Sequence, residues 1–177
     1  MIGKSFDIDR SSTGELLGMS GTDELQYRVG PFGLRSIETD FGDFFPALPD
    51  RPVKVGDTWN STTVIADVRD ATITYELTSV NTFRGVETVD GVECAKITAA
   101  VSGEMTGEAR DKGTDITFKG IYDGSDVWYF AYKEGRLVSR DSRGSVSGEA
   151  FDERGNQGQG MTVPLNREIS TTIELVR

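Results

Sequence analysis

The feature that most constrains this chain is a succession of alternating apolar and polar runs separated by very short turns. Such runs follow one another from Val53 onward, and their separators are turn-forming pairs such as Asp90-Gly91 and Glu134-Gly135. Connections of two to five residues are too short for a parallel crossover, so consecutive strands must pair antiparallel. The sequence therefore predicts an antiparallel meander.

Several of the predicted strands exceed ten residues, and glycines interrupt them, which is typical of a strongly bent sheet. Asp123-Gly124-Ser125 is predicted as a turn between two of the strands. The predicted fold class is mainly β: a strongly curved antiparallel meander, half-barrel or barrel-like, with one or two short helices. The predicted strands are Thr58–Val68, Thr72–Phe83, Val86–Val89, Val92–Met105, Asp115–Tyr122, Val127–Tyr132, Leu137–Gly148 and Arg167–Val176.

The first third of the chain has a different pattern. Phe6–Ser20 alternates around a Thr-Gly pair and predicts a hairpin, while Glu24–Val29 and Ser36–Phe45 have spacings that favour short helices. Three prolines then exclude regular structure before the main run of strands. We expect a single β-rich domain over residues 1–177, with a short helical region at 22–45 and a Pro-rich lead-in at 46–56.

The charge balance argues against two classes of partner. The chain has 29 acidic and 19 basic residues, a net charge of −10, so phosphate backbones and anionic membrane surfaces should be repelled. No run approaches the ~20 apolar residues of a membrane span, and no signal peptide is recognised at the start. We expect no nucleic-acid partner and no membrane span.

The residues needed for common catalytic sites are missing. Histidine is absent, which removes triad chemistry and most zinc and copper sites, and Gly144–Gly148 has valine where a nucleophile would stand. Asp123–Asp126 resembles only a fragment of a calcium loop, and Cys94 fits a small buried residue. We predict no enzyme, no catalytic residues, no metal and no cofactor.

The aromatic residues are better placed for binding. Val127–Tyr132 is apolar on both faces, which is typical either of a central strand covered on both sides or of a strand lining an apolar groove. Candidate lining residues for an apolar ligand are Trp128, Phe130, Tyr132, Phe118, Phe44 and Phe45.

One segment carries a family signature. Phe45–Trp59 reads FPALPDRPVKVGDTW, and it resembles a stretch found in an uncharacterised family of bacterial cell-envelope proteins and lipoproteins. The resemblance implies a periplasmic or cell-surface location, and it assigns no activity to any residue. Independently of the family, the prolines should give a stiff extended segment and Gly56-Asp57 should form a turn. The Trp59 side chain should then fill part of the core.

Two hypotheses for function remain. The first is a non-enzymatic bacterial envelope binding module, whose partner is a lipid or other hydrophobic small molecule. The second is a structural or protein-interaction domain with a filled core and a protein partner. A cavity favours the first and a solid core the second.

Overall fold

The computed structural model describes residues 5–11, 13–22, 25–28, 34–36, 44–68, 71–111, 114–153 and 160–174. These residues form three antiparallel sheets, of which the largest has six strands in the order β10-β9-β8-β7-β6-β5. Every neighbour in that sheet is also the neighbour in sequence, so the predicted antiparallel meander is confirmed. The bounds of its strands are β5 Thr58–Val68, β6 Ala71–Val89, β7 Val92–Asp111, β8 Thr114–Ala131, β9 Arg136–Asp152 and β10 Met161–Glu174.

The four remaining strands form two small hairpins. β1 (Asp7–Arg10) pairs with β2 (Leu16–Ser20), as the alternation around Thr13-Gly14 predicted. β3 (Gln26–Arg28) pairs with β4 (Leu34–Ser36), so the helix predicted over Glu24–Val29 is wrong where the structure describes it. A helix of one or two turns gains little by itself, whereas strand pairing satisfies the same backbone groups.

The second predicted helix, Ser36–Phe45, falls mostly outside the described residues. Ser36 ends β4, and Phe44 and Phe45 have no regular structure. No helix occurs among the residues that the structure describes, and hence none long and apolar enough to cross a membrane.

Strands β6 and β8 are longer than predicted because two expected breaks do not occur. Asp123-Gly124-Ser125 lies inside β8, where all three residues are paired with β7 on one side and β9 on the other. The predicted turn is wrong, since two flanking strands satisfy backbone groups that a turn would leave to solvent. The break before Val86 is a bulge at Gly85, which has a positive φ of 130°.

Two predicted turns are confirmed by their backbone angles. Asp90 (φ 51°) and Gly91 (φ 79°) join Val89 to Val92 in a two-residue hairpin loop, as a type I′ turn requires. Gly135 (φ 67°) ends the turn between β8 and β9. These local signals fix where neighbouring strands reverse.

The Pro-rich lead-in connects to the main sheet as expected. Gly56 (φ 93°) turns the chain, and the Asp57 amide donates to the Lys54 carbonyl at 2.9 Å. Trp59 then packs against the buried cluster, and its indole N–H donates to the Ala47 carbonyl at 2.8 Å. The Leu48 amide donates to the Thr13 carbonyl at 2.8 Å, which ties the first hairpin to the same segment.

Candidate functional site on the core face of the main sheet

The two faces of the main sheet differ in burial. Along β8 the even-numbered residues from Thr114 to Asp126 are buried or half-buried, while the odd-numbered residues between them are exposed. We call the face formed by the even-numbered residues the core face; it also carries Trp128. Side chains at paired positions share a face, so the register extends the core face across all six strands.

Both faces are covered at the end of the sheet that carries Trp128. A buried cluster of Ile97, Ala99, Val101, Trp128 and Leu137 lies on the core face. A second cluster contains Cys94, Ala131 and Val138 with Tyr129 packed against it, and the pairing of Lys96 with Tyr129 places it on the opposite face. The double apolar pattern of Val127–Tyr132 thus marks a strand end covered on both sides.

The other half of the core face is lined by glycines. Glycine is paired with glycine at two positions, Gly124 with Gly144 and Gly120 with Gly148. Neighbouring backbone lies close to these positions. A Cβ on Gly103 would overlap the Glu76 carbonyl oxygen. We call this region the glycine half; its glycines are Gly103, Gly107, Gly120, Gly124, Gly144 and Gly148.

Tyr122 lies across two of these glycines. A Cβ on Gly124 would be 2.6 Å from the Tyr122 hydroxyl, and a Cβ on Gly144 would be 2.6 Å from its ring carbon Cζ. The ring meets Tyr75 edge-on with centroids 6.3 Å apart. The two glycines therefore create the space that the Tyr122 ring occupies.

Four of the six candidate ligand-binding residues lie together. Trp128 and Phe130 are 4% and 7% exposed, and the Phe45 ring meets Phe130 at 6.1 Å and Phe44 at 5.3 Å. Phe44 and Phe45 also pack against the buried cluster that includes Trp128. We call these four residues the aromatic cluster.

The structure separates the other two candidates from this cluster. Phe118 is half-buried on the core face in the glycine half, ten residues from Trp128 along β8, or about 33 Å at ~3.3 Å per residue. Tyr132 lies beyond the end of β8 and is 44% exposed. Tyr132 follows the same alternation as Trp128 and Phe130 in sequence, but β8 ends at Ala131 and Tyr132 lies in the turn after it.

Tyr132 instead belongs to a charged surface group. Its hydroxyl donates to the Glu93 carboxylate, and the Lys133 ammonium lies 2.9 Å from the same carboxylate. The hydrogen bond from Tyr132, helped by Lys133, lowers the pKa of Glu93. The same bond raises the pKa of Tyr132, because ionisation would remove the donor.

A buried ion pair lies beside Trp128 on the core face. Asp126 and Arg140 are each 6% exposed, and the guanidinium donates to both carboxylate oxygens at 3.2–3.3 Å. The Arg140 guanidinium also lies over the Trp128 ring, 5.3 Å from its centroid. Since each charge offsets the other, the pair brings polarity without net charge to this part of the core face, where the buried side chain of Asn81 is also polar.

The indole N–H of Trp128 is buried and has no hydrogen-bond partner within the described part of the chain. Trp59 differs in this respect, because its N–H is bonded to Ala47. A buried donor without an acceptor costs free energy, so its presence in a packed face needs a reason.

No group of three or more His, Cys, Asp or Glu is placed to hold a metal ion within the described ranges. The residues that resembled a calcium-loop fragment are extended in β8. Cys94 is fully buried, as predicted, and burial raises the pKa of its thiol.

Comparison with known proteins gives one match. A model of a family of unknown function (DUF6263) matches residues 30–119, which are 90 of the 177 residues.

This chain belongs to the DUF6263 family.

No curated protein and no solved structure matches the chain.

The DUF6263 match covers only part of the candidate site. It contains the signature segment Phe45–Trp59, strands β5–β7 and the first residues of β8, and it ends at Lys119. Phe44, Phe45 and Phe118 lie within the match, whereas Trp128, Phe130 and Tyr132 lie beyond it. The prediction that the chain belongs to an uncharacterised family is therefore confirmed.

Sequence reasoning missed the Asp126–Arg140 pair and the role of Gly124. Asp126 was assigned to a turn, and a bulge in the register between β8 and β9 hides which residue faces it. The available signal was the opposite charges on two strands joined by the short turn at Glu134-Gly135.

Proposed function

We propose that this protein is a non-enzymatic binding module of the bacterial cell envelope, whose core face holds a lipid or another apolar ligand. The observation that carries the proposal is the character of the glycine half. Met105 and Val146 are buried there and Arg167 on β10 is charged, but a group of its apolar side chains remains only half-buried. Ile73, Phe118, Leu165 and Ile169 belong to this group, and Val163 beside them is 41% exposed. Apolar surface left on one face is a common mark of a binding site.

A curved sheet would make that face concave, and the glycines support such curvature. A Cβ on Gly148 would overlap the Lys119 carbonyl oxygen and lie 2.5 Å from the Cα of Gly120. Such close approach of neighbouring backbones at glycine is typical of strongly coiled or bent strands. A concave face half a barrel wide would surround an acyl chain better than a flat one.

In this proposal the candidate residues have different roles. Phe118 lines the glycine half and touches the ligand chain. The aromatic cluster closes one end of the face, since Phe45 and, in the Pro-rich lead-in, Leu48 already pack over it. Tyr132 takes no part, because it is bonded to Glu93 outside the strand.

The envelope location rests on the resemblance of Phe45–Trp59 to bacterial envelope proteins. We place the protein in the periplasm or at the cell surface on that ground. An apolar ligand needs a carrier or holder in such an aqueous compartment, and the net charge of −10 would keep the module in solution beside anionic membranes.

A paired substitution tests the proposal. Ile169→Lys puts an ammonium on the core face opposite Gly144, whereas Ile121→Lys puts one on the polar face, where Ile121 is 49% exposed. We would titrate both proteins and the wild type with the neutral fluorescent probe N-phenyl-1-naphthylamine. Binding should weaken about tenfold in Ile169→Lys and stay unchanged in Ile121→Lys.

Native mass spectrometry of the purified protein, followed by denaturing extraction, would identify a natural ligand. No probe binding by the wild type and no co-purifying amphiphile would refute the proposal. Equal loss in both lysine variants would show that the probe responds to charge and not to the core face.

One observation favours the alternative, a structural or protein-interaction domain with a filled core. Trp128 and Phe130 are almost fully buried by the chain's own aromatic rings, so that end of the face has no room for a ligand as it stands. Clean monomers without ligand, together with partner-dependent assembly, would support this second function.

A further inference from the structure

We propose that the indole N–H of Trp128 is the polar anchor for the ligand, and that the ligand is a single-chain amphiphile with an uncharged acceptor such as an ester carbonyl. This inference rests on the proposed function, because it assigns the head of a ligand whose chain lies over the glycine half. The observation behind it is a buried donor without a partner in the described part of the core face.

The position of the donor fits such a ligand. Trp128 stands two residues from Asp126 on the core face of β8. A chain that lies over the glycine half and passes the Tyr122 ring, which fills the space over Gly124 and Gly144, therefore ends beside it. The two halves of the face thus supply a path that is apolar over the glycine half, passes the Asp126–Arg140 pair, and has one unbonded hydrogen-bond donor at its end. Ligand sites commonly combine an apolar lining with very few polar groups.

The charges around Trp128 favour an uncharged head. Asp126 and Arg140 already offset each other through contacts of 3.2–3.3 Å. A fatty-acid carboxylate placed here would be desolvated, and the nearest guanidinium, that of Arg140, is already bonded to Asp126. A carbonyl oxygen needs only one donor and brings no charge, so esters and amides are the expected class.

Access to the donor requires side chains to move, because Trp128 is only 4% exposed. The neighbours best able to move are Phe44 and Phe45, since they lie in irregular chain just before the Pro-rich lead-in while the rest of the aromatic cluster is held in strands. The ligand head is therefore expected to take the place of one of these rings.

Trp128→Phe and Trp59→Phe form a matched pair of variants. Each removes one indole N–H and keeps an aromatic ring, but the N–H of Trp59 already has its acceptor in Ala47. We would displace N-phenyl-1-naphthylamine with methyl dodecanoate and with tridecane, both delivered from cyclodextrin. The first competitor has an ester acceptor and the second has none.

In the wild type the ester should displace the probe at about tenfold lower concentration than the hydrocarbon, since one hydrogen bond to a buried donor is worth about that ratio. Trp128→Phe should abolish the preference and leave the hydrocarbon unaffected, while Trp59→Phe keeps the preference. In the NMR spectrum of the wild type, the ester should shift the indole proton of Trp128 downfield and not that of Trp59.

The outcomes separate the two proposals. Probe binding with no preference for the ester, or a preference that survives Trp128→Phe, would overturn the anchor and leave the apolar site intact. Failure of the wild type to bind the probe at all would overturn the proposed function itself. A Trp128→Phe protein that still binds tridecane normally shows that loss of the ester preference is not a folding defect.

Discussion

Replacing Gly103 by alanine should destabilise the protein through one defined clash. The added Cβ would overlap the Glu76 carbonyl oxygen and lie 2.9 Å from the Cα of Leu77, and both are main-chain atoms of the neighbouring strand β6. Main chain held in a six-stranded sheet cannot move aside as the tip of a side chain can. Strands β6 and β7 would have to separate or rotate at this position.

The magnitude follows from two opposing terms. Overpacking costs about 1–3 kcal/mol, and a clash with main chain belongs at the upper end of that range. The alanine also reduces the entropy of the unfolded chain, which returns about 0.4–1 kcal/mol. The free energy of unfolding should therefore fall by about 2 kcal/mol, with a melting temperature lower by roughly 4–8 °C for a domain of this size.

Gly18→Ala is the matched control, because a Cβ on Gly18 in β2 would meet nothing within 4 Å. That variant should keep or slightly raise stability. Urea unfolding followed by circular dichroism gives both values, with the slope checked for unchanged two-state behaviour. If Gly103→Ala were as stable as Gly18→Ala, strands β6 and β7 would not approach as described, and the argument for a curved core face would fail.

Three other perturbations should have measurable effects. Asp126→Asn should lower the free energy of unfolding by about 3–5 kcal/mol, because it removes the carboxylate that is bonded to the buried Arg140 guanidinium. Urea unfolding should show a much smaller loss for Asp126→Leu combined with Arg140→Met. Glu93→Gln should reduce stability at neutral pH and have no effect in acid. The hydrogen bond from Tyr132 lowers the pKa of Glu93, so its stabilisation is present above the unfolded pKa of 4.5 and is lost as the pH falls through the folded pKa. Thermal melts at several pH values would contradict this if the difference between the variant and the wild type persisted in acid. Cys94 should react with a thiol reagent only on unfolding, because it is fully buried and the pKa of its thiol is raised. Rapid labelling of the native protein would show that the buried cluster of Cys94, Ala131 and Val138 is accessible to solvent.

The aromatic cluster illustrates how far pattern alone identifies a site. Trp128 and Phe130 were correctly placed on one face by alternation, and Phe44 and Phe45 do lie against them. Tyr132 follows the same alternation in sequence, but the strand ends one residue before it. The spacing of aromatic residues could not reveal that end, since the turn signal was Glu134-Gly135, whereas the turn begins at Ala131, whose carbonyl accepts from the amides of both residues.

The sequence by itself determined where the chain reverses direction and which side chains alternate, because these depend on local backbone energetics. Asp90-Gly91 has to turn since glycine and aspartate tolerate a positive φ, and β5 was predicted with its observed bounds, Thr58–Val68. Only the tertiary structure decided that Gly124 continues a strand and that residues 26–28 pair as one. The same turn-forming or helix-compatible residues become strand when neighbouring strands supply hydrogen bonds, and for Gly124 those partners, Val101 and Gly144, lie on two other strands. The Tyr122 ring fills the space above that glycine.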